Sequence, residues 1–183
     1  MAYISVLETF SLGIGPSSSH TVGPMRAAGV FAQDLQRRGL LRRVERIECE
    51  LYGSLGATGI GHHTPRAVAA GLAGLAPETI EGDTLEALWA GCLGGGGLDV
   101  MGGAAHVPWD GSTVRLKPRV RLERHPNALR LVATAAGGTA LADAVYYSVG
   151  GGFIEGPGVD EAAQVTADQV PYPFVSAVEL LDG

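Results

Sequence analysis

Between Val44 and Tyr52 the chain alternates, with Ile47, Cys49 and Leu51 on one side and Glu48 and Glu50 on the other. That period of two predicts a half-buried strand. Upstream, Met25, Ala28, Ala32 and Leu35 recur at helical spacing with Phe31 beside them, predicting a helix from about Thr21 to Arg38 with a broad buried face. Pro24 is tolerated in its first turn and Gly39 stops it. Further helices are predicted over residues 2–10, Pro65–Leu75, Thr84–Ala90 and Val175–Leu181. Three strand-like segments follow at Thr113–Lys117, Ala128–Thr134 and Ala142–Val149, the last two joined as a hairpin through Gly137-Gly138. Gly53–Gly61, Gly94–Gly97 and residues 160–173 read as loops, and Gly150-Gly151-Gly152 as the end of the strand region. Helices early and antiparallel-looking strands late, with few strand–helix–strand alternations, predict an α+β fold: an antiparallel or mixed sheet with helices packed on it.

At 183 residues the chain is the size of one domain, read as 1–160 with a connector over 161–183. The net charge of −6 argues against a nucleic-acid partner or a basic membrane patch. The apolar run Ala67–Pro77 is 11 residues long, well short of the roughly 20 that a spanning helix needs. No basic residue precedes Arg26, so no targeting segment is expected, and the expected compartment is the cytoplasm. Two cysteines, Cys49 and Cys92, are too few for a disulfide framework, a four-thiolate zinc site or an iron–sulfur site. Glycine, at 28 residues, runs about twice ordinary usage and implies many loops with unusual backbone angles.

Two segments stand out chemically. Gly13–Thr21 sets serine hydroxyls and backbone amides ahead of a helix, where they could hold a carboxylate or phosphate. The same residues could equally be an elaborate helix cap through Ser19 or Thr21. It lacks the lysine of a phosphate loop and follows no strand, which disfavours a nucleotide. His62-His63-Thr64 lies between glycines and a helix start, where a neutral histidine can act as a base. The plainer reading gives Thr64 as a helix cap with Pro65 in the first turn. His125-Pro126-Asn127 taken alone is a turn, and Tyr146-Tyr147-Ser148 a strand end. The arginines at 37, 38, 42, 43 and 46 suit a solvated helix end.

Taken together, GIGPSSSHTVGPM at 13–25, YGSL at 52–55, GHHT at 61–64, HPN at 125–127, YYSVGGGFI at 146–154 and VPYPF at 170–174 resemble the N-terminal β domain of bacterial iron–sulfur L-serine dehydratases. The motifs fall in the family's order and spread over nearly the whole chain. The resemblance implies a lyase of amino-acid degradation and gluconeogenesis that turns L-serine into pyruvate and ammonia. It also implies a [4Fe-4S] cluster whose open iron acts as Lewis acid on the substrate. His62 and Thr64 match the family's His-x-Thr motif, which is thought to supply the catalytic base. Ser17, Ser18, Ser19, His20 and Thr21 match its serine loop, and His125 and Asn127 a further substrate-facing segment.

The fold implied is similar to the allosteric substrate-binding domain of some phosphoglycerate dehydrogenases. Implied partners are L-serine, a catalytic α domain or subunit, and further copies of the chain in a homo-oligomer. The family's cluster ligands lie in that α domain, so neither Cys49 nor Cys92 is expected to be one, and no cluster is expected on this chain alone. The helix-like 175–181 running to Gly183 favours a piece of a longer chain over a separate subunit. Ala128 departs from the family's usual glycine. The alternative from another class is a non-catalytic amino-acid-binding regulatory domain.

Overall fold

The computed structural model describes residues 13–159. The helices expected at 2–10 and 175–181, and the connector between them and the fold, lie outside the described residues. A five-stranded mixed sheet carries the fold, in the order β4-β1-β5-β6-β7. Its strands are β1 (Arg46–Tyr52), β4 (Val114–Lys117), β5 (Asn127–Thr134), β6 (Ala140–Gly150) and β7 (Phe153–Glu155). Only β1 and β4 run parallel. A separate two-stranded sheet pairs β2 (Leu98–Val100) with β3 (Ala105–Val107). The helices are α1 (Gly23–Arg37), α2 (Gly53–Thr58), α3 (Thr64–Leu72) and α4 (Gly82–Gly91). The expected α+β class holds.

Alternation and helical spacing do what they predict. Ile47, Cys49 and Leu51 of β1 sit opposite Ala133, Leu131 and Leu129 of β5, and all six are fully buried. Met25, Ala28, Phe31, Ala32 and Leu35 form the buried face of α1. Its chain stops at Gly39, whose φ of +66° only glycine adopts freely.

Three expectations need correcting. Gly53–Gly61 is not a loop: its first six residues form α2, each glycine there serving a close approach. A Cβ on Gly56 would lie 2.9 Å from the Lys117 carbonyl carbon, so the helix hugs β4 as no larger residue allows. The strand region does not end at Gly150–Gly152, since β7 follows at once and extends the sheet edge. The β2–β3 pair was not foreseen because its strands are three residues each, too short to show a period.

The sheet face turned away from the core is an ion ladder. Lys117, Glu50, Arg130 and Asp143 follow one another across β4, β1, β5 and β6, with separations of 2.6, 3.4 and 2.5 Å. Tyr52 also donates to Glu50 at 2.5 Å. Glu50 was expected on the solvent side, and it is buried because long side chains on both neighbouring strands close over it. The hydrogen bond from Lys117, then that from Tyr52, hold its carboxyl down at about 2. A depressed acid stabilises the fold above its ordinary range near 4.5 and loses that contribution as pH falls toward 2. Chemical denaturation between pH 6 and 2 should therefore show a steep acid loss that is shallower in Glu50→Gln; equal slopes would remove Glu50 from the account.

Helices α1 and α3 approach so closely that Gly71 has no room for a side chain. A Cβ there would collide with the Met25 carbonyl oxygen and lie 2.9 Å from the Ala28 Cβ. Glycine in a helix ordinarily costs about 1 kcal/mol against alanine, so Gly71→Ala would stabilise an open helix. Here the backbone contact should reverse the sign, with Gly71→Ala and Gly71→Val destabilising by about 1–3 kcal/mol in urea titrations. A gain in stability would show that the helices part easily.

Candidate functional site

The serine segment is a single π-type turn, Ser18–Val22, that runs straight into α1. This corrects the expected loop. Ser17, still extended, caps the turn: its hydroxyl accepts from the His20 amide at 3.2 Å, and its own amide donates to Thr21 Oγ1 at 3.3 Å. π-turns of this kind recur at functional sites. Gly23 follows because a Cβ there would run into the Ser148 side chain of β6.

The second segment is also compact rather than extended. Thr64 N–H donates to the Gly59 carbonyl at 2.8 Å and His62 N–H to Thr58 at 3.2 Å, closing a turn in which His63 takes φ +58°. That left-handed residue swings its side chain away, toward a shallow surface pocket shared with Ile60, Pro65, Arg66 and Trp89. His62 and Thr64 face the serine turn instead.

Two hydroxyls bind the segments together reciprocally. Thr21 Oγ1 donates to the His62 carbonyl at 2.8 Å, and Thr64 Oγ1 donates to the His20 carbonyl at 2.5 Å. Both threonines are fully buried. Beside the substrate contact expected from Thr21 and the catalytic contact expected from Thr64, both hydroxyls thus have a tethering role, each donating its proton to a carbonyl. The result sets the His20 and His62 rings 4.8 Å apart between centroids, tilted by 42°.

Ring chemistry follows from the partners. His62 Nδ1 lies 3.0 Å from the Thr58 carbonyl, which can only accept, so Nδ1 carries a proton and, in the neutral tautomer, the lone pair is on Nε2. His20 is held on both sides by hydroxyls, Ser19 Oγ at 2.8 Å from Nδ1 and Ser54 Oγ at 3.0 Å from Nε2. Burial, and then the neighbouring His62, keep His20 below the usual histidine range, favouring its neutral form.

The third segment is lashed to α2. Ser54 N–H donates to the Pro126 carbonyl at 3.1 Å, and Gly53 bridges Asn127 with φ +51°. His125 Nδ1 accepts from the Asn127 amide at 3.1 Å, while Asn127 Nδ2 reaches the Ser148 carbonyl at 3.4 Å. Ala128 sits buried between Tyr52 and Tyr147 in the sheet, where its methyl fits. The structure therefore joins Ser17, Ser19, His20, Thr21, His62 and Thr64 directly, and links His125 and Asn127 to them through Ser54. Ser18 is exposed on the turn.

Sequence reasoning assigned no role to Ser54 or Thr58. Ser54 lay within the YGSL motif, so a signal existed; Thr58 acts through its carbonyl, which leaves none.

Neither cysteine suits a cluster. Cys49 points into the core of the sheet and Cys92 is buried just after α4; both are free, and burial raises both thiols, disfavouring the thiolate a cluster needs. Among the described residues no group of three or more histidine, cysteine or acidic side chains is placed to hold a metal ion. No described helix is long and apolar enough to cross a membrane.

A family model described as serine dehydratase beta chain matches residues 5–158. The chain belongs to that family. It is 45% identical over 183 residues to an L-serine dehydratase of Mycobacterium bovis, covering 98% of this chain and 39% of that protein. The L-serine dehydratase of Streptomyces coelicolor is 44% identical, with 97% of this chain and 40% of the relative covered. L-serine dehydratase 2 of Escherichia coli is 41% identical, with 97% and 39% covered. The chain thus spans about two fifths of the length of the curated relatives it matches.

The reciprocal bonds can be tested thermodynamically. Thr21→Val and Thr64→Val each keep the shape but leave a buried carbonyl short of a donor, and should each cost about 1–3 kcal/mol. Because the two bonds fix the same pair of turns, the double variant should cost less than the sum, with a coupling of about 0.5–3 kcal/mol. Strict additivity in urea melts would mean that the two tethers act independently.

Proposed function

We propose that this chain is the β domain of an enzyme that deaminates L-serine to pyruvate and ammonia, with a [4Fe-4S] cluster carried by a separate α domain or subunit. The observation that carries the reading is the meeting of the serine turn with His62, whose Nδ1 faces the Thr58 carbonyl and leaves Nε2 for the substrate. His62 takes the Cα proton on that nitrogen, and its Nδ1–H stays directed at the Thr58 carbonyl throughout. The N-terminal end of the helical run Ser18–Arg37 offers partial positive charge to the substrate carboxylate, with Ser18 exposed there. Loss of hydroxide from Cβ leaves an aminoacrylate, which tautomerises to an imine and hydrolyses to pyruvate and ammonia.

The described residues supply the base and the anion site but no thiolate set, so the electrophile for hydroxide departure falls to the partner. Two free, buried cysteines agree with a reducing, cytoplasmic setting. A homo-oligomer of the complete enzyme completes the reading.

The test is an anaerobic assay of pyruvate from L-serine, with this chain alone, with a cysteine-bearing α polypeptide alone, and with both. Pyruvate should form only with both; turnover by this chain alone, or none by the pair with its cluster loaded, would overturn the reading. In the complete enzyme His62→Ala should lower kcat by about 10²–10⁴-fold with cluster content unchanged. His63→Ala should be mild, since that ring points to a different surface. If the order of the two effects were reversed, the base would be His63.

A further inference from the structure

We propose that Ser54 is a positioning residue for this reaction, holding His20 in place and thereby the wall against which the His62 imidazole rests. The inference rests on the function proposed above and deepens it. One turn of α2 sets both rings. Its Ser54 hydroxyl meets His20 Nε2 at 3.0 Å, and its Thr58 carbonyl, four residues on, meets His62 Nδ1 at 3.0 Å. The turn is stiffened from within, because Thr58 Oγ1 donates to the Ser54 carbonyl at 3.0 Å. It is anchored from outside, because the Ser54 amide donates to the Pro126 carbonyl at 3.1 Å.

With both ring nitrogens on hydroxyls, His20 is poorly placed to accept the substrate proton; Nε2 of His62 is the better acceptor. What His20 supplies is a fixed ring 4.8 Å from that of His62. Removing the Ser54 hydroxyl leaves His20 held by Ser19 alone and free to swing about its Cβ–Cγ bond. The ring beside it then loses its lateral support. Disorder of this kind at a base degrades the reactive alignment more than it degrades substrate binding.

In the full-length enzyme with its cluster loaded, Ser54→Ala should lower kcat by about 10–100-fold while KM stays nearly constant. Ser54→Thr, which keeps the hydroxyl, should recover most of kcat, and Ser54→Cys, a weak hydrogen-bonding group, should fall between. The Thr–Cys comparison carries the same information if the alanine variant melts early. Unchanged kcat in Ser54→Ala, a rise in KM alone, or a threonine variant as poor as alanine would each overturn the proposal. Wild type and His62→Ala run in the same series separate the two claims. An inactive wild type, or an unaffected His62→Ala, overturns the function; an active wild type with a crippled His62→Ala and a normal Ser54→Ala overturns only the role of Ser54.

Discussion

Two buried threonine hydroxyls, each donating to the carbonyl beside the other's histidine, hold the candidate site together. Thr21 reaches His62 and Thr64 reaches His20, across 41 and 44 residues of chain. Closing loops that long costs conformational entropy that two hydrogen bonds cannot offset alone. The offset comes from α1 and α3, which begin immediately after the two turns and pack so tightly that Gly71 touches the α1 backbone. Burial of the pair then makes each bond costly to break, because an unpaired carbonyl would be left away from water.

That arrangement also sets the electrostatics. Helix α1 and α3 both present their N-terminal ends at the paired turns, and a helix N-terminus carries partial positive charge. Such a place disfavours an imidazolium and favours an anion. The lowering of His20 by burial and by His62 acts in the same direction. A neutral His20 and a bound carboxylate are therefore the two species that the local field suits.

Much of the fold was legible because its signals are periodic. The α1 stripe Met25, Ala28, Ala32 and Leu35 and the β1 alternation Ile47, Cys49 and Leu51 mark buried faces that the structure keeps. Misreadings arose where tertiary contact overrides local preference. Gly53, Gly56 and Gly59 argue against a helix by propensity, yet α2 forms because only glycine lets it lie on β1, β4 and the Pro126 carbonyl. Glu50 reads as a solvent residue, and the partners that bury it, Lys117 and Arg130, come from strands distant in sequence. At the candidate site, motifs marked segments that the fold brings together but could not say which hydroxyls face inward. Thr64 proved to be both the start of α3 and a tether, so the helix-start reading and the site reading describe one residue.

The distribution of satisfied groups differs between the open sheet face and the helix N-termini. On the open sheet face charges are mutually paired: Arg46 and Arg115 share Glu48, Lys117 and Arg130 share Glu50, and Arg124 meets Glu155. A face whose charges already answer one another gains little by burying them against a partner, since desolvation would cost as much as new contacts return. At the helix N-termini the balance differs. His62 has its Nδ1 engaged by the Thr58 carbonyl, and Ser18 is exposed at the positive end of a long helical run. Both cysteines, the only thiols in the chain, are turned into the core. The proposed base and the proposed anion site lie together where α1 and α3 begin, so under the proposed function it is there that the α polypeptide would present its electrophile.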